Sequence, residues 1–327
     1  MTRASDGSRA VQQHVSRLHF EIEWPPKHAA AYLIEAPNPI LIDAGDPTDN
    51  AATTMGDELA ARGYEPGDLE AVVVTHPHSD HIGQVPLFRE AGVPVYAAHP
   101  VIEQLERDVD DLAAGVRAVG RSAGLHGEAI DKQVDRARDS LERNRRLLAP
   151  DYVEAFSFEE PLAVAGREFE VIHTPGHQIH HASLETTIDD ERVLFSGDVL
   201  IEPFRAAALN VGLDDGAYEA VDDFLTSMDR LDDRAIDRVY PGHGPVFTDA
   251  DAVVRETRSD LEELLAETLE AVEAAGPATP IELTKYRIGE SRHPAGMLDT
   301  LGALGTLERR GRVGFERRDG ARYYRST

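Results

Sequence analysis

The sequence predicts an α/β domain followed by a small unit of two helices and a hairpin. Three observations carry this expectation. Short apolar, β-branched runs alternate with longer stretches of helical spacing over residues 1–250. A turn signal, Gly276-Pro277, accompanies a shift in charge. Beyond it the pattern changes to helix, helix, hairpin. The expected division is therefore a domain over 1–250, with a helical insertion over about 101–150, and a linker helix with a small domain over 251–327.

The elements follow in order. Ala30–Glu35 and Ile40–Ile42 are apolar runs split by Pro37-Asn38-Pro39, as in a hairpin. Asn50–Arg62 has helical spacing and stops at Gly63. Leu69–Val74 is suited to a buried strand, and Val93–Ala97 to another. Val101–Ala118 and Glu128–Leu148 are charged and helix-periodic, the second ending before Pro150. Strands are expected at Val164, Phe169–Ile172, Ala182–Thr187 and Val193–Phe195. A helix over Ala217–Leu231, a strand over Ala235–Tyr240 and a long helix over Val253–Ala274 follow. In the last unit, Glu282–Ile288 and Pro294–Arg310 are helical patterns. Arg312–Arg317 and Arg322–Arg325 are strands around the hairpin signal Asp319-Gly320. That order suggests a winged helix.

Composition excludes several classes. The 327 residues include no cysteine, which removes disulfides, thiolate metal sites and a cysteine nucleophile. No apolar run is long enough to span a membrane, and Met1 to Val15 lacks the apolar stretch of a signal peptide, so a cytoplasmic protein is expected. Net charge is -27, and only three of the 33 basic residues are lysine (Lys27, Lys132, Lys285). An acidic, lysine-poor, cysteine-free chain suits molar internal salt, where the Debye length falls to about 3 Å and self-repulsion is screened. A basic partner is the rival reading. The charge is uneven: from Ile281 onward there are 10 Lys+Arg against 6 Asp+Glu, and before it 23 against 54.

The chemistry is concentrated at strand ends. Leu69–Val74 runs into Thr75-His76-Pro77-His78-Ser79-Asp80-His81. Imidazole nitrogens and carboxylate oxygens this close suit Zn²⁺ and similar cations; the bland alternative is a polar loop capping the next helix. Three later stretches also place a ligand type after a strand: His173-Thr174-Pro175-Gly176-His177, Ser196-Gly197-Asp198 and Pro241-Gly242-His243-Gly244.

H-x-H-x-D-H, TPGH, SGD and PGHG in this order resemble the metallo-β-lactamase superfamily over roughly Val15 to Thr248. The resemblance implies an α/β, four-layer αβ/βα sandwich with a two-metal site at one edge of the sheets. It implies that His76, His78 and His177 hold one metal, that Asp80, His81 and His243 hold the other, and that Asp198 bridges both. A carboxylate can bridge two cations where an imidazole, with one lone pair, cannot. The implied chemistry is hydrolysis by a metal-bound hydroxide that Asp80 helps to orient, with two divalent ions, Zn²⁺ first and Fe or Mn as alternatives. His181, four residues beyond His177, is a candidate proton donor to the leaving group, or else a hydrogen-bonding support. Asp43 is expected to support the metal loop, and His173 and His180 to be structural or exposed. Phe156, Phe158, Phe204 and Tyr218 are read as core before pocket.

Departures narrow the subfamily. Members with a cysteine ligand are excluded, diiron oxygen reductases carry Glu where His78 stands, and members with a large inserted nuclease domain need more chain. The insertion reads as a lid over the metals, a solvated cover or a dimer contact. Arg309, Arg310, Arg312, Arg317, Arg318, Arg322 and Arg325 form a basic wing able to meet phosphates, or to pair with the protein's own acids. The leading expectation is ester or thioester hydrolysis of a small molecule, glyoxalase II-like, although the glutathione-binding helices of that family are not recognisable. The alternatives are a ribonuclease or phosphodiesterase assisted by the tail, a nucleic-acid-binding regulatory module, and a mononuclear iron dioxygenase. A homodimer is compatible with all of them.

Overall fold

A computed structural model describes residues 14–35, 37–290 and 294–327; the expectation for the N-terminal segment falls almost wholly outside them. Two sheets organise the chain. The first has six strands in sequence order: β1 (Val15–Glu21), β2 (His28–Ile34), β3 (Ile40–Ile42), β4 (Ala71–Val73), β5 (Val95–Ala98) and β6 (Val153–Phe156). β1 to β3 are antiparallel neighbours, and β3 to β6 run parallel. The hairpin expected around Pro37-Asn38-Pro39 is the β2–β3 connection, with Ile34 opposite Ile40. β1 is an additional strand whose signal is alternation: Ser16, Leu18 and Phe20 are buried between more exposed neighbours. β6 is also additional; it is an edge strand with exposed Glu154 and Ala155, so no apolar run marks it.

The second sheet has the order β11-β10-β9-β8-β7, from β7 (Leu162–Val164), β8 (Arg167–His173), β9 (Ala182–Ile188), β10 (Glu191–Gly197) and β11 (Arg238–Pro241). Alternating side chains divide its two faces. Phe169, Val171, Leu184, Val193 and Phe195 join the strands of the first sheet, α1 (Asp49–Ala61) and α3 (Val85–Glu90) in one core. Ile172, Leu194 and Val239 face a second core with α7 (Ala220–Leu231), α8 (Ala250–Ala275) and α10 (Ala295–Arg309). Helix, sheet, sheet and helix thus stack with apolar contact at each boundary. Among the described residues, no helix is long and apolar enough to cross a membrane.

Between the parallel strands β5 and β6 lie α4 (His99–Glu106), α5 (Val109–Ser122) and α6 (Glu128–Leu148), so the stretch over about 101–150 is helical. The periodicity over Val101–Ala118 predicts one helix, and the structure has two. Asp108 breaks it by adopting an extended backbone, and its carboxylate accepts from the N–H groups of Asp110 and Asp111 as the cap of α5.

The C-terminal order is α9 (Pro280–Ile288), α10, then the antiparallel pair β12 (Val313–Arg318) and β13 (Ala321–Ser326). Thr279 and Glu282 cap α9 reciprocally. α10 lies tight on the start of α7. A Cβ at Gly305 would come within 2.0 Å of the Tyr218 carbonyl oxygen, and one at Gly302 within 3.1 Å of the Val221 nitrogen. Several tail arginines meet acids of this chain: Arg309 meets Asp222 and Glu219, Arg310 meets Glu262, and Arg322 meets Glu308.

Candidate metal centre

The seven motif residues converge beyond the ends of four strands. His76 and His78 leave β4, and Asp80 and His81 lie in α2 (Ser79–Ile82), a single turn just after them. His177 follows β8, Asp198 directly follows β10, and His243 follows β11. Parallel pairing of β3, β4 and β5, and of β10 and β11, sends the loops after β4, β10 and β11 the same way within each sheet.

Two groups result. His76, His78, His177 and Asp198 form one, and Asp80, His81 and His243 the other; within each group one ligand atom per residue lies within 4.8 Å of the rest. In the first, His78 Nδ1 is 3.1 Å from His76 Nε2 and 2.9 Å from His177 Nε2. In the second, His243 Nε2 is 3.5 Å from Asp80 Oδ2. Asp198 touches both: Oδ2 is 3.2 Å from the Nε2 atoms of His177 and His243, and Oδ1 is 3.4 Å from His81 Nε2.

Side chains and carbonyls behind these residues set their orientation. Asp43 accepts from Thr75 N–H at 2.8 Å and pairs with His81 Nδ1 at 2.9 Å, so His81 presents Nε2 to the centre. His177 Nδ1 donates to the Ala207 carbonyl at 3.0 Å, and His243 Nδ1 to the His28 carbonyl at 2.5 Å. A carbonyl or carboxylate behind each ring fixes its tautomer. Asp43 matches its expected place. The two carbonyls carry no sequence signal, because any residue supplies one. Gly242 leaves the space that the cluster needs: a Cβ there would lie 2.3 Å from Asp198 Oδ1 and 2.6 Å from His81 Cε1.

The donor set fits a cation. His81 Nε2 and Asp198 Oδ1 are buried with no hydrogen-bond partner, and together they supply a nitrogen lone pair and an anionic oxygen. Burial, with neighbouring rings, drives the pKa values of His76 and His78 well below the usual imidazole range and leaves them neutral. Burial also opposes charge on His81 and His243, but the carboxylates around them outweigh it and raise both, Asp198 foremost. Burial likewise opposes charge on Asp198, yet His243 and His81 hold its pKa well below the carboxylate range. The upward shifts mean that a cation competes with protons at His81 and His243. Calorimetry of Zn²⁺ binding to the apo protein, in buffers of different ionisation enthalpy near neutral pH, should show proton release and affinity that rises with pH. Proton uptake would contradict this electrostatic account.

Both ring nitrogens of His181 face protein groups. The ring is fully buried, Nε2 accepts from the Asp198 N–H at 3.0 Å, and Nδ1 contacts Thr174 Oγ1 at 2.7 Å. Both nitrogens are engaged by protein, and burial pushes its pKa to about 3. Of the two readings given for His181, these contacts are those of a hydrogen-bonding support, on the Asp198 N–H and Thr174. Gly197 leaves room for this ring: a Cβ there would lie 2.4 Å from Nε2, on a backbone at φ +51°. His173 packs on Phe158 at 4.1 Å and bonds the Ile179 carbonyl; burial pushes His180 down to about 4.

Comparison with known proteins gives the family and the fold. The profile of the Metallo-beta-lactamase superfamily matches residues 24–243. The chain belongs to that superfamily. Its members form an enzyme family of metallo-hydrolases, and the His and Asp groups are suited to divalent metal. The probable metallo-hydrolase YqjP of Bacillus subtilis is 25% identical over 85% of this chain and 86% of its own. The beta-lactamase-like protein 2 homolog of Caenorhabditis elegans is 27% identical over 64% of this chain, which spans only 52% of that relative. An atrochrysone carboxyl ACP thioesterase of Aspergillus chevalieri is 30% identical over 29% of this chain and 27% of its own. A metallo-beta-lactamase family protein from Thermus thermophilus shares the fold at a TM-score of 0.80, with 24% identity, 96% of this chain and 98% of that one covered.

Proposed function

We propose that this superfamily member is a dinuclear hydrolase that cleaves an ester or thioester carrying an apolar acyl group. One observation carries the reading: the Asp198 carboxylate lies between two ligand groups, within 3.4 Å of His177, His243 and His81 nitrogens. His76, His78 and His177 would hold one divalent ion, Asp80, His81 and His243 the other, with Asp198 shared. Such a pair supplies Lewis acidity and a lowered pKa for water. Asp80 is the second carboxylate of the cluster, and it orients the attacking water by accepting its hydrogen bond. Water oxygen bonds to the acyl carbon and gives up a proton to solvent, the carbon–sulfur or carbon–oxygen bond breaks, and the leaving group takes a proton from solvent, since both His181 nitrogens are engaged by protein.

The substrate class rests on the cleft beside the centre. A cleft of about 760 Å³ reaches His78 and is walled by α4, α5, α6, the loop after His177 and the start of α10. Leu112, Ile179, Leu209 and Val211 line it half-buried, so apolar surface stays open to water until something covers it. The similarity to a thioesterase supports an acyl substrate. The helix, helix and hairpin unit is read as a winged helix packed on the hydrolase. Its arginine–acid pairs favour that role over nucleic-acid binding.

The test is a screen of acyl thioesters and p-nitrophenyl esters of increasing chain length beside RNA oligomers. kcat/KM should rise with acyl length, and Leu209→Asp should remove the chain-length dependence, at least about 10-fold for the longest acyl group, with metal content unchanged. Cleavage of RNA with no turnover of any acyl compound would overturn the reading.

A further inference from the structure

The C-terminal helix α10 reaches the metal centre through one residue that no motif marks. Asp299 is mostly buried, 13% exposed at its side chain, and Arg205 opposite it is 11% exposed. The two form a forked pair, Nη2 to Oδ2 at 3.0 Å and Nη1 to Oδ1 at 3.4 Å. Asp299 Oδ1 also accepts from the Ala208 N–H at 2.8 Å. Between Arg205 and Ala208 stands Ala207, whose carbonyl accepts from His177 Nδ1. The same short segment is tied to the His177 loop again: the Asn210 N–H donates to the Gly176 and His177 carbonyls, both at 3.0 Å. Asp299 therefore grips two residues on either side of the carbonyl that orients His177.

We infer that Asp299 is a positioning residue for the metal centre: by clamping Arg205 and Ala208 it holds the Ala207 carbonyl behind His177, so α10 is part of the site. A segment without regular secondary structure, such as 205–208, has few ways to fix a carbonyl to within tenths of an ångström. A carboxylate with one oxygen on a backbone N–H and both on a guanidinium supplies them from a rigid helix. Met297 and Leu298, beside it on α10, line the cleft and place the same helix at the substrate. The inference rests on the reading that His177 holds a metal.

The test measures metal affinity, not turnover. Full-length protein is stripped with chelator and titrated with Zn²⁺ against a chromophoric competitor, and with Co²⁺ while the d–d spectrum is followed. The variants are Asp299→Ala, Asp299→Asn and Arg309→Ala. Arg309 also joins α10 to the body, through Asp222 and the Tyr218 carbonyl, and these contacts touch neither a metal ligand nor the segment 205–208 behind His177. Asp299→Ala should weaken one of two metal equivalents about 10-fold and alter the Co²⁺ spectrum. Asp299→Asn keeps an acceptor for Ala208 and should lose less. Arg309→Ala should lower Tm yet leave affinity and spectrum as in wild type. Equal affinity loss in Asp299→Ala and Arg309→Ala, or none in Asp299→Ala, overturns the positioning role. If Asp299→Ala does not fold, Asp299→Asn against Arg309→Ala decides by the same criterion. A wild-type protein that binds no metal overturns the dinuclear reading instead.

Discussion

Asp198→Ala should reduce bound metal from about two equivalents per chain to one or none and lower acyl hydrolysis by at least about 100-fold. The magnitude follows from the several kcal/mol a metal pair contributes to a charged transition state, at 1.36 kcal/mol per factor of ten. Alanine removes the carboxylate placed between both ligand groups, whereas each imidazole serves one. Elemental analysis of protein purified in high salt, without added metal or a histidine tag, measures the first quantity. Steady-state assay on the best acyl substrate measures the second. Two equivalents retained in the variant would remove the bridging role. A single iron in wild type, little changed in the variant, would move the chemistry to mononuclear oxygen activation.

The second large effect concerns the packing that carries the His177 loop. Phe224, on α7, is fully buried in the second core. Its backbone lies against Gly176, where a Cβ would come within 2.5 Å of Phe224 Cα, on a glycine at φ +124°. Phe224→Ala should destabilise the protein by about 3–5 kcal/mol, the usual cost of removing a buried phenyl ring. Denaturant unfolding should show the midpoint moving down with little change in slope. It should also weaken metal binding, because the loop that presents His177 leans on this helix and Ser227 of the same helix donates to the Pro175 carbonyl. A loss under about 1 kcal/mol would mean that the surrounding side chains refill the site, and that the loop is held from elsewhere.

What is legible in the sequence lies close together along it or has a chemical signature. His76, His78, Asp80 and His81 fall within six consecutive positions after a β-branched strand. His177, Asp198 and His243 each sit beside glycine at a strand end, and glycine there answers a steric demand, as Gly242 and Gly197 show. Elements with a strong period or run are equally readable, from β4 to the long helix α8. The less regular ones are not: β1 shows only alternation, β6 is an exposed edge, and the break at Asp108 depends on a cap that interrupts an otherwise helical pattern.

Tertiary structure alone decided the rest. His181 has the residue type and spacing of a proton donor, but its role depends on which atoms meet its two nitrogens, and these are Asp198 N–H and Thr174 Oγ1. The carbonyls of Ala207 and His28 orient metal ligands while their residue types say nothing. The tail arginines look like a phosphate-binding face in one dimension; folding brings Asp222, Glu262 and Glu308 to three of them. Asp299 reads as an ordinary helix carboxylate until α10 docks on the body and sets it against Arg205. Sequence by itself determined which groups can bind a metal, because that is a property of side-chain chemistry. Which groups hold the binders in place is a property of three-dimensional proximity between residues far apart in the chain.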